Sequence, residues 1–188
     1  MRILNITHTK KTPLSKRVVF FAFLFFISNC SLTNIEPDEN SPWYGTPAGS
    51  TVVLNQDIVV SVDRARVFIQ QGKVVPGANP FEIHCQFEVE DVFPYPQTIK
   101  TDKFIVNKVT RGIQNVVQTN TLKFASSDGN NGGNQETKMW YLWLSSENQK
   151  NVRRLSCGGV FATSAKSEYP TINEMRAALG EIVTLNLP

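Results

Sequence analysis

The 188-residue chain is short of the residues and patterns on which most enzyme chemistry is built. It has two histidines and three cysteines, with no CxxC pair, no HExxH, no Walker sequence and no dinucleotide-binding glycine fingerprint. No serine sits in GxSxG or SxxK, so a nucleophile and its base would have to be assembled from distant segments. No apolar run approaches the ~18 residues that a membrane-spanning helix needs. Residues 1–29 contain no Asp or Glu but hold Arg2, Lys10, Lys11, Lys16 and Arg17. The formal charge of +3 therefore becomes −2 once these five cations are set aside. A chain processed after residue 29 has no basic footprint for nucleic acid.

What the N-terminus does contain is a cationic, polar lead followed by ten apolar residues, Val18 to Ile27. As a helix these would span ~15 Å, about half the hydrocarbon thickness, which fits a secretory leader better than a permanent span. The residues that follow, Ile27-Ser28-Asn29-Cys30-Ser31, resemble the lipobox of bacterial lipoproteins. The resemblance implies cleavage before Cys30 and attachment of lipid to that thiol. In diderm cells Ser31, being other than Asp, implies export to the outer membrane. The competing reading is a conventional signal peptide that releases a periplasmic protein. Lipidation of Cys30 would leave Cys85 and Cys157 in an oxidising compartment, where they are expected to pair; two buried free thiols are the alternative.

Three prolines, two glycines and three acids without apolar periodicity mark residues 31–49 as a tether, so the expected organisation is a leader over 1–29, a tether over 30–50 and one β-rich domain over 51–188. In that domain the dominant period is two. From Phe81 to Val89 the odd positions Phe81, Ile83, Cys85, Phe87 and Val89 are apolar and the even ones polar, which predicts a half-buried strand with Cys85 inward. Further strands are expected at 51–60, 62–70, 99–109, 113–124, 138–145, 152–162 and 181–187. Breakers at Gln71-Gly72, Pro76-Gly77, Arg111-Gly112 and the Asp128–Asn134 run separate them. The spacing predicts a mainly β fold, an antiparallel sandwich or small barrel. One helix is expected over 171–179, with Thr171 and Glu174 as a capping box and Gly180 ending it.

Chemistry-bearing residues are few. His84 shares a strand face with Glu82, Gln86 and Glu88, a row expected to be solvated, and Arg153-Arg154 is too short to indicate a polyanion site. The Asp128–Asn134 run lacks the alternating acids of a calcium loop and reads as a hairpin tip. No metal or cofactor is expected. In Met139-Trp140-Tyr141-Leu142-Trp143-Leu144 both strand faces are apolar: Trp140, Leu142 and Leu144 point one way, Met139, Tyr141 and Trp143 the other. The second face is either covered, by the 171–179 helix for instance, or open as a platform in which Tyr141 and Trp143 meet a partner. The expected function is that of a non-enzymatic envelope lipoprotein, a binding or assembly accessory for an envelope protein or glycan. A hydrolase of peptidoglycan or glycan and a carrier with a ligand inside a barrel are the alternatives.

Overall fold

The computed structural model describes residues 38–115 and 135–188. Among these the chain forms β1 (Thr51–Leu54), β2 (Ile58–Val60), β3 (Arg66–Gln70), β4 (Lys73–Val75), β5 (His84–Val89), β6 (Gln97–Ile99), β7 (Asp102–Asn115), β8 (Gln135–Ser145), β9 (Val152–Gly158), β10 (Ala162–Thr163), α1 (Ile172–Leu179) and β11 (Val183–Asn186). The main sheet runs β11-β1-β7-β8-β9-β5-β3-β4, with β10 added beside β8, and its pairs are antiparallel. β2 and β6 form a separate two-stranded ribbon. The fold is mainly β, a curled half-barrel with one C-terminal helix, as the alternation and the capping box lead one to expect.

The curl follows from the helix. α1 packs on β11 near one end of the strand order and on β3 and β5 near the other, and only a sheet that bends round it can reach it from both sides. Ile172, Met175, Ala178 and Leu179 are its buried face, and they join Val52, Leu54, Phe87, Phe104, Leu142, Leu155 and Leu185 in one core. Each large side chain fully buried there is worth about 1.5–3 kcal/mol relative to exposure. Thr171 accepts the Glu174 N–H at 3.2 Å while the Glu174 carboxylate accepts the Thr171 N–H at 2.8 Å, which completes the capping box. At its other end Gly180 has φ of 56° and lies against Gly72, where a Cβ would come within 2.5 Å of the Gly72 Cα. Both conditions demand glycine. The Gly72 N–H donates to the Ala178 carbonyl at 2.9 Å, fixing the β3–β4 turn to the helix end.

Several boundaries differ from the sequence reading, each for a local reason. The strand expected at 51–60 is two, divided at Asn55, whose amide donates to the Glu181 carbonyl and the Thr184 hydroxyl. The strand expected at 62–70 begins at Arg66, and the one expected at 81–89 begins at His84. Ahead of it, the buried Gln70 amide bonds both the N–H and the carbonyl of Asn79 and holds residues 79–82 in a turn, with Phe81 exposed. Arg111-Gly112 is no breaker: β7 runs through it to Asn115. Gly112 is there because the Tyr141 ring occupies the space a side chain would need. The rest of the strand expected at 113–124 and the Asp128–Asn134 tip lie outside the described residues, as does Cys30. Residues 38–50, assigned from the sequence to the tether, lie against the domain. Glu39 pairs with Arg176, Asn40 accepts from Asn173 at 2.8 Å, and Gly45 lies flat against the Trp140 ring. Among the described residues no helix is long and apolar enough to cross a membrane.

Cys85 and Cys157 are direct partners across β5 and β9, with sulfurs 2.06 Å apart and both side chains in the core. A bridge closing 72 residues contributes about 4 kcal/mol in the chain-entropy treatment. Denatured Cys30→Ser protein should therefore show no titratable thiol until reductant is added, and reduction should lower its melting temperature. Two reactive thiols in the unreduced sample would contradict the pairing.

Candidate functional site

The core side of the sheet is filled, so the chemistry lies on the other side. There the register places residues in rows that cross the strands. One row runs Arg66 (β3), Glu88 (β5), Arg154 (β9), Trp143 (β8) and Lys108 (β7). The next runs Phe68, Gln86, Ser156, Tyr141 and Thr110. A third holds His84, Gly158, Met139 and Gly112.

Adjacent strand residues point to opposite faces, so Arg153 and Arg154 would ordinarily part company. They do not, because Arg153 is the extra residue of a bulge: Val89 pairs with Val152, whereas Glu88 pairs with Arg154. Both guanidinium groups consequently lie over Trp143, each 5.1 Å from a ring centroid of the indole, and that of Arg154 also lies 4.3 Å from the Tyr141 ring. A second irregularity, at Asn107 of β7, flanks Trp143 on its other side. The indole N–H donates to the Thr110 hydroxyl at 3.1 Å. Tyr141 and Trp143 are half-buried.

Glu88 organises this face. One carboxylate oxygen accepts from Nε and Nη2 of Arg154 at 2.9 and 2.8 Å; the other accepts from the Ser156 hydroxyl at 2.7 Å and the Gln86 amide at 2.9 Å. Burial pushes the Glu88 carboxyl up, but the bonds from Arg154, Ser156 and Gln86 together with the Arg154 charge outweigh it, leaving the group below its ordinary value of 4.5. Arg153 pairs with Glu90 at 3.3 Å in an exposed position, a contact of small energetic weight.

The structure corrects the reading of the His84 row. His84, Gln86 and Glu88 are buried rather than solvated, because β5 lies inside the sheet between β3 and β9 and the 77–80 segment runs beside its start. Nor do His84 and Glu88 meet: the imidazole Nδ1 bonds the Glu82 carbonyl at 3.1 Å while the carboxylate serves Arg154. The suggestion that α1 covers the second face of β8 is also corrected, since the helix packs on the core side and the arginines do the covering. Arg154 and Ser156 were not legible as site residues. The sequence signal for them was the odd Arg153-Arg154 doublet inside an otherwise alternating strand. Among the described residues no group of three or more His, Cys, Asp or Glu side chains could hold a metal ion. Comparison with family models, with curated proteins and with solved structures gave no match.

The depressed Glu88 carboxyl sets a pH dependence. Below about pH 4.5 the unfolded chain takes up a proton at this position that the folded chain refuses, so the stabilisation present at neutral pH is lost as the solution is acidified. Glu88→Gln leaves the Arg154 charge without its anion and should cost about 3 kcal/mol at pH 7. In urea titrations that gap should narrow as the solution is acidified below about pH 4.5 and the wild-type carboxyl itself takes up a proton. A gap independent of pH would show that the carboxylate charge is not what holds Arg154.

Proposed function

We propose that this chain is an envelope lipoprotein, anchored in the outer membrane through Cys30, whose β-domain acts without catalysis as a docking module for an envelope protein. The observation that supports the docking reading is the cluster of Arg153, Arg154, Tyr141 and Trp143 on the outer face of the sheet. Trp, Tyr and Arg are the side chains in which interface hot spots are enriched; Tyr141, Trp143 and Arg154 are half-buried and Arg153 is exposed, yet all four are already held in place. Ordering them in advance removes part of the entropy that a partner would otherwise have to offset. The filled interior of the half-barrel favours this reading over a carrier with its ligand inside.

The anchor rests on the leader and the lipobox-like Ser28-Asn29-Cys30. Wild-type protein should fractionate with membranes and incorporate a labelled fatty acid, and Cys30→Ser should lose the label. An unlabelled wild type would leave the periplasmic form as the better reading.

For docking, Trp143→Ala should weaken capture of the partner in envelope crosslinking by about 2 kcal/mol or more, with Tyr141→Ala behaving similarly. If both substitutions lower the unfolding free energy in urea by the ~3–5 kcal/mol typical of core aromatics and spare the crosslink, the two rings serve only the fold.

A further inference from the structure

A recess of about 270 Å³ opens on the outer face beyond the arginine–aromatic cluster. His84, Gln86 and Thr137 line it, only 7%, 3% and 3% exposed, and each has a polar atom to which no described residue is hydrogen-bonded. Their neighbours fix which capacity that is. The Glu82 carbonyl can only accept, so His84 Nδ1 carries the hydrogen and, in the neutral ring, Nε2 is left as an acceptor. The ionised Glu88 likewise can only accept, which turns the Gln86 NH₂ towards it and leaves Gln86 Oε1 as a second acceptor. Thr137 adds a hydroxyl able to donate or accept. Arg66 stands at the rim, and among the described residues no carboxylate pairs with it, because its cross-strand neighbour Glu88 is already engaged by Arg154. Phe68 supplies one apolar wall.

This combination is selective. Among the described residues no Asp or Glu lines the recess, so a ligand ammonium meets no anion from them, whereas a carboxylate meets the guanidinium of Arg66. A ligand that covers these two acceptors must supply donors to them, and hydroxyl groups provide them while also accepting from Thr137. The apolar wall suits the C–H face of a ring, and the volume lies at the small end of ligand pockets, enough for one ring rather than a chain. The geometry points to a binding site for a single sugar carboxylate, a uronic acid, either free or as a residue of a polysaccharide. The assignment is independent of lipid attachment at Cys30 and of docking through Trp143.

The full chain contains only His8 and His84, so the imidazole signals of histidine-labelled protein are assigned with one variant, His8→Gln. Sodium glucuronate should shift the His84 imidazole resonances in a saturable way. Methyl glucuronide should do so too if the linked sugar is taken, and glucuronate alone if the free acid is. Glucose should bind at least about tenfold more weakly, as expected when one charge-assisted contact is missing, and glucosamine should not bind. Arg66→Gln, at an exposed position, should reduce glucuronate affinity about tenfold without moving the urea midpoint. Failure of both glucuronate and methyl glucuronide to move His84 would overturn the proposal. So would equal binding of glucose or glucosamine, or unchanged affinity in folded Arg66→Gln.

Discussion

A strand buried on both faces must satisfy every polar group it carries, and β5 is such a strand. Its Cys85, Phe87 and Val89 belong to the core, but its other face brings Gln86 and Glu88 out of water as well. An unpaired carboxylate there would be prohibitive, and the surrounding sequence is arranged so that it is never unpaired. Four hydrogen bonds from Arg154, Ser156 and Gln86 exhaust its oxygens. Arg154 is thereby fixed in place, and a fixed guanidinium can stack on Tyr141 and Trp143 where a free one would wander. The polar chemistry of the outer face thus descends from one buried acid.

The same strand pair is tied from the other side by Cys85 and Cys157. Between these two ties the middle of the sheet is held rigid, while its ends curl to meet α1 and the core fills the hollow. The N-terminal segment from Asp38 adds a strap, with Glu39 on Arg176 and the Trp43 carbonyl accepting from Arg111 at 2.9 Å. A domain built this way has its interior committed to stability, and its remaining polar and aromatic chemistry lies on the outer face.

Much of the fold was legible because burial enforces simple periods. Val67 and Ile69, Cys85 and Phe87, and Leu142 and Leu144 alternate with outward residues as expected, and Thr171, Glu174 and Gly180 delimit α1 by capping chemistry that is local in sequence. What could not be read depended on partners far along the chain. Gly112 looked like a turn because the ring that fills its space belongs to Tyr141. His84, Gln86 and Glu88 looked solvated because their cover comes from other segments. The doublet Arg153-Arg154 looked incidental because only pairing with β5 reveals the bulge that turns both side chains to one face. The parity of Cys85 and Cys157 was visible in their own strands; that they stand directly opposite was not.

The central claim is that Glu88 and Arg154 act as a unit on which the outer face depends. A double-mutant cycle in urea at neutral pH, with Glu88→Gln, Arg154→Met and the two combined, tests it most directly. Each single change strands a charge or exposes a buried one to no partner and should cost about 3–5 kcal/mol, while the double change removes both and should cost far less than the sum. A coupling of about 2 kcal/mol or more is the expected result. Costs that add to within about 0.5 kcal/mol would contradict it, for the arginine and the acid would then hold their places independently.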